Sequence, residues 1–69
     1  MDYRKLKGKI KEVYNTHTAF AKALGLDPST LSYKLNDKSE WTTKEIAKAC
    51  DLLNIPLVDA HIYFFTLKV

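Results

Sequence analysis

One cysteine, two glycines, two prolines and one tryptophan among 69 residues leave several kinds of protein out of reach. A single thiol, Cys50, cannot close a disulfide within the chain, so no covalent staple holds the domain and nothing calls for an oxidising compartment. Set in an apolar helical pattern, Cys50 reads as a small buried side chain. The two histidines, His17 and His61, stand far apart, with no cysteine or carboxylate pair framing either. No metal spacing results, and no metal or other cofactor is expected. Ser29 and Ser32 have no evident base to activate them, and a chain this short has little room for a substrate pocket. The expectation is a protein that is not an enzyme and takes no small-molecule ligand. No apolar run approaches the ~18 residues of a membrane span. The opening MDYRKLKGK is charged where a secretory signal needs an apolar core. A cytoplasmic protein without a membrane partner is expected.

What is present points to one globular domain, residues 1–69. Hydrophobic residues make up 46% of the chain, too many for a disordered segment. A domain of this size buries only roughly 60% of its unfolded surface, so its stability margin is thin. The net charge of +3 is unevenly spread. Residues 1–38 hold eight basic and four acidic side chains, net +4; residues 39–69 hold three and four, net −1. A positive half suits a polyanion, although solvated lysines give the same count.

The periodicity is helical almost throughout. Tyr3, Leu6, Ile10, Val13 and Tyr14 recur at helical spacing and predict a helix over 2–14, with Asp2 able to cap it. Gly8 falls on its wet face, where it costs about 1 kcal/mol against alanine, and nothing in the sequence accounts for it. Thr16 predicts the N-cap of a second helix from His17 to Leu24, with Phe20, Ala21 and Leu24 inward. Gly25 ends it, as the residue that takes a left-handed conformation without strain. Asp27 and Pro28 then predict the cap and first position of a third helix, with Leu31 and Leu35 inward and Asn36 and Asp37 at its end. Thr42 and Glu45 have capping-box spacing, and Trp41 and Ile46 the spacing of a hydrophobic staple. They open a fourth helix whose stripe is Ile46, Ala49, Cys50 and Leu53, ended by Asn54 and Ile55-Pro56. A short fifth helix is expected near residues 57–62, and the terminal YFFTLKV is rich enough in aromatic and β-branched residues to be extended.

The stretch HTAFAKALGLDPSTLSYKL joins two short helices through a turn of a few residues. Ala21, Gly25 and Leu31 form an Ala-xxx-Gly-xxxxx-Leu core, the small residue allowing close helix approach and the leucine locking the second helix onto the first. With these residues the chain resembles the helix-turn-helix of Cro and lambda-repressor-like (XRE-type) DNA-binding proteins, and in its length the small phage-encoded repressors. The resemblance extends loosely over residues 2–65. It implies an all-α fold of five helices, with the motif at helices two and three. It implies a sequence-specific transcriptional regulator, a Cro or repressor type, in a bacterial or phage-infected host cytosol. Its partner would be a double-stranded DNA operator bound by a homodimer, since one recognition helix reads only a few base pairs.

By the same resemblance, Pro28, Ser29, Ser32 and Tyr33 of the third helix would face base edges. His17, Thr18, Lys22, Lys34, Asn36, Lys38, Ser39, Thr42 and Thr43 lie where relatives grip phosphates. His17 departs from the pattern, because many members carry glutamine there. The third helix also lacks an outward Arg, Asn or Gln for bidentate base contacts before Asn36, so direct readout would be modest. That weakness keeps open a rival reading: the same fold used to bind a repressor or another protein. The C-terminal segment carries more apolar side chains than a short tail can turn inward. Ile62, Tyr63, Phe65, Leu67 and Val69 are therefore expected at a dimer contact, with 66–69 as an edge strand.

Overall fold

The computed structural model describes residues 2–65. Five α-helices follow one another: α1 (Arg4–Tyr14), α2 (His17–Leu24), α3 (Pro28–Leu35), α4 (Thr43–Leu52) and α5 (Ala60–Phe64). A 3-10 turn at Leu57–Asp59 leads into α5, and no strand occurs among the described residues. Tyr63 and Phe64 are thus helical rather than extended, because Ala60 and Phe64 both bury their side chains and helical spacing puts them on one face. The edge strand expected at 66–69, with Leu67 and Val69, lies outside the described residues.

Backbone hydrogen bonding fixes where each helix stops. At the end of α2, the Leu26 N–H donates to Ala21 O and Gly25 adopts φ 82°. The same closure recurs after α3, where Lys38 N–H donates to Tyr33 O with Asp37 at φ 61°. It recurs after α4, where Ile55 N–H donates to Cys50 O with Asn54 at φ 58°. Each is a Schellman closure that needs a left-handed residue, and Asp and Asn tolerate that conformation better than most. Only the first uses glycine.

Helix starts differ more from expectation. Asp2 does support α1, its carboxylate accepting from the Arg4 backbone N–H at 3.0 Å, but the helix begins at Arg4 and Tyr3 is its cap. The Thr16 hydroxyl accepts from Ala19 N–H at 3.1 Å. Asp27 makes no side-chain cap bond to α3; Pro28 sits in the first turn, where its missing N–H costs nothing. The full capping box of α4 is present, Thr42 and Glu45 each accepting from the other's backbone N–H.

The core is a single cluster. Leu6 and Ile10 of α1, Phe20, Ala21 and Leu24 of α2, Leu31 and Leu35 of α3, Ala49, Cys50 and Leu53 from α4, and Phe64 of α5 are all buried in it. Ile46, Trp41 and Tyr14 pack against it half-buried. Of the two C-terminal phenylalanines, Phe64 enters the core and meets Trp41 edge-on at 5.0 Å between ring centres. Phe65 remains 53% exposed. Val13 is not inward as its spacing suggested; it is exposed, and Tyr14 beside it takes the contact with Phe20 at 5.4 Å.

Candidate functional site around the third helix

The three residues Gly25, Leu26 and Asp27 join α2 to α3. Leu31 and Leu35 hold α3 to the core from one side, which leaves its other side in solvent. Pro28, Ser29, Ser32 and Tyr33 are all exposed there, and Tyr33 keeps 57% of its surface. The Ser32 hydroxyl accepts from Asn36 Nδ2 at 3.3 Å, so the two polar groups best placed to read a base partly satisfy each other. His17, Thr18 and Lys22 are exposed on α2, and Asn36, Lys38 and Ser39 on the loop after α3.

Lys34 is placed differently from its expected role. It is 5% exposed, and its ammonium lies 2.9 Å from Glu45 Oε1 and 2.8 Å from the Glu40 carbonyl oxygen. The ammonium also stands 5.9 Å from the centre of the Trp41 ring. Those partners hold α3 to the start of α4, so Lys34 braces the two helices and its ammonium is turned in from the surface where a phosphate contact is expected. The spacing carried a signal for this: position 34 is three residues after Leu31 and next to Leu35, on the inward side.

Thr42 is likewise occupied. Its N–H donates to the Glu45 carboxylate and its hydroxyl accepts from Glu45 N–H. The first turn of α4 therefore already holds an anion of its own, where a phosphate was expected to sit. Burial pushes the Glu45 carboxyl up, but hydrogen bonds from the Thr42 backbone and from Lys34 outweigh it and hold it below the usual carboxylate range. Thr43 is exposed beside it. Of the residues expected at a dimer contact, Ile62 and Tyr63 are half-buried and Phe65 is exposed.

What the sequence did not mark is a cleft on another side of the same loop. Tyr3, Asp37, Glu40, Trp41, Phe64 and Phe65 enclose about 280 Å³. These residues come from the start of α1, the α3–α4 loop and the end of α5, and no local pattern links them.

The chain matches, over residues 1–67, the model of the family described as "Protein of unknown function (DUF739)". The chain belongs to this family. Among solved structures, it is similar to the solution structure of the modulator of repression (MOR) of the temperate bacteriophage TP901-1 from Lactococcus lactis. The two share 47% sequence identity, with 99% of this chain and 92% of the other covered and a TM-score of 0.84. No curated protein matches the chain. Among the described residues, no helix is long and apolar enough to cross a membrane.

Proposed function

We propose that the chain is a modulator of phage repression that acts by binding a protein partner, a repressor. The observation that carries this reading is the 47% identity, across nearly the whole chain, to a bacteriophage modulator of repression. The chemistry of the helix-turn-helix supports it. The outward side of α3 offers two hydroxyls and a tyrosine, which are permissive readers of bases. One expected phosphate ligand, Lys34, is taken up inside, and the first turn of α4 carries Glu45. Tyr33 is a large, exposed aromatic side chain of the kind that anchors protein interfaces. Isothermal titration of the chain into the repressor encoded by the same genome tests the reading. Saturable heat is expected, with Tyr33→Ala weakening affinity by roughly tenfold or more, the loss of a hot-spot aromatic. No heat at concentrations up to about 100 μM, an affinity too weak to matter for a specific complex, would count against it.

A second reading is the Cro-type regulator, a homodimer on a DNA operator. It is favoured by the exposed position of α3 after a three-residue turn, with His17, Thr18, Lys22, Asn36, Lys38, Ser39 and Thr43 exposed around it. Pro28, Ser29, Ser32 and Tyr33 would then face the major groove, and the segment from Ile62 onward would join two copies so that their α3 helices lie about 34 Å apart. Sedimentation equilibrium on Phe65→Asp tests the pairing: a weaker dimer is expected under this reading, and a dimer as tight as the parent's would place the contact elsewhere.

A further inference from the structure

Gly8 is a cost that the fold does not explain. It sits inside α1 on the exposed side, where alanine is the better helix former. A Cβ there would have no atom within 4 Å, so no neighbour in the chain needs the space. Gly25 is the glycine with positive φ, so backbone conformation does not call for glycine at position 8 either. A glycine without a reason inside the fold points outward, because a missing Cβ lets another main chain come close.

Over Gly8 lies an open groove between α1 and α5. Lys5, Gly8, Lys9, Glu12 and Tyr63 line about 260 Å³. Positions 5, 8, 9 and 12 share one side of a helix by their three- and four-residue spacing, and Tyr63 closes the groove from α5. The charge of α1 is lopsided: Arg4, Lys5, Lys7, Lys9 and Lys11 stand against Glu12 alone. Arg4 is tied to Asp2 at 2.7 Å and Lys9 to Glu12 at 3.0 Å. Among the described residues Lys5, Lys7 and Lys11 enter no ion pair, and of these Lys5 lines the groove. Glu12 stands about two turns from Lys5, on the order of 10 Å along the axis, too far to neutralise an exposed ammonium.

The occupant that fits has an anionic group for Lys5 and a main chain that comes close at Gly8. A protein segment offers both. A duplex fits less well, because its row of phosphates would run on from Lys5 to the Glu12 carboxylate, and Lys7 and Lys11 do not line the groove. A second copy fits less well again, because a two-fold contact sets the groove against itself and Lys5 beside Lys5. We propose that the Gly8 groove is a second contact surface, taking an acidic helical segment of a protein partner. The segment's main chain passes over Gly8 and one carboxylate pairs with the Lys5 ammonium. The groove shares no residue with the outer side of α3, and its chemistry does not rest on the repressor reading above.

The test is an NMR titration of the ¹⁵N-labelled chain. Gly8 and Gly25 are its two glycines, so one amide reports on the groove and the other is an internal control. The probe is an alanine-based peptide of about 16 residues, long enough to form a helix alone, with glutamates along one side. The same peptide with glutamines is titrated in parallel. Saturable shifts at Gly8 and Tyr63 are expected with the glutamate peptide, with affinity on the order of millimolar for a probe not shaped to the groove, and Gly25 should not move. Lys5→Gln should weaken this binding by roughly two- to fivefold. Gly8→Ala should raise the melting midpoint, since its Cβ has free space, and yet weaken the peptide by roughly fivefold or more, the cost of an added methyl in a close contact. A lower midpoint for Gly8→Ala would put the reason for the glycine inside the fold and overturn the proposal. Equal shifts with the glutamine peptide, or no saturation with the glutamate peptide, overturn it too. So does a random-sequence duplex that moves Gly8 and Tyr63 where the peptide does not, which would make the groove a phosphate surface.

Discussion

α3 and α4 begin in opposite ways. α4 opens with a reciprocal capping box between Thr42 and Glu45, and its carboxylate also receives Lys34 from the preceding helix. α3 opens with no side-chain cap, and one of its three buried side chains is a lysine. Local chemistry thus makes α4 a helix in its own right, whereas α3 is held by what it packs against. The uncapped helix is the one whose outer side carries Ser29, Ser32 and Tyr33 in solvent. Labour is divided between them: the self-capped helix is scaffold, and the helix that depends on its neighbours presents the surface.

That contrast can be broken most forcefully at Leu31, which is fully buried under α3. Leu31→Ala should destabilise the domain by about 2–5 kcal/mol, the range for truncating a packed leucine. Denaturant unfolding would show it, and an unchanged midpoint would mean that α3 is not held through this side chain.

Lys34→Met comes next. It keeps the apolar stem but removes the ammonium from Glu45, whose carboxylate still has its Thr42 bond and some solvent. A loss of about 1–2 kcal/mol is expected at neutral pH, less than for a fully buried pair. The pH dependence follows from Glu45, whose folded pKa is depressed. Its contribution is fully present above the unfolded carboxyl pKa of about 4.3 and is lost as pH falls through the lower folded value. The gap between parent and Lys34→Met should therefore narrow on acidification. A gap that is constant from neutral to acid pH would show that the pair contributes nothing.

The caps give the smaller effects and the sharpest comparison. Thr42→Ala should cost about 1 kcal/mol, the usual loss of a hydroxyl N-cap. Asp27→Ala should cost no more than a few tenths, about the scale of an ordinary surface change, since no cap bond is lost. Equal losses at the two positions would erase the distinction between the helices.

Much of this was legible in the residues. Thr16, Gly25 and the Thr42–Glu45 box placed three helix boundaries, because capping is local and needs few atoms. Leu24, Leu31 and Leu53 share the core as their spacing implied. The failures are equally physical. Asp27 has the right type for a cap yet makes no bond, because residue type does not fix side-chain direction. Lys34 looks like a surface charge in the sequence although its spacing places it inward; what turns it there is Glu45, eleven residues on, in another helix. Tyr3, Asp37, Glu40, Trp41 and Phe65 meet only through the fold, so no window along the chain contains their cleft.

Under the proposed function, α2 and α3 meet a protein rather than a phosphate backbone. The direct measurement is fluorescence anisotropy of a labelled random-sequence duplex titrated with the chain alone, between about 50 and about 200 mM salt. Each phosphate neutralised adds about 0.9 to the slope of log affinity against log salt. With Lys34 withdrawn and Glu45 at the start of α4, weak binding is expected, with a slope no steeper than about −2. Tight binding at low salt with a slope of about −4 or steeper would contradict it, and would make the operator, not the repressor, the partner of α3.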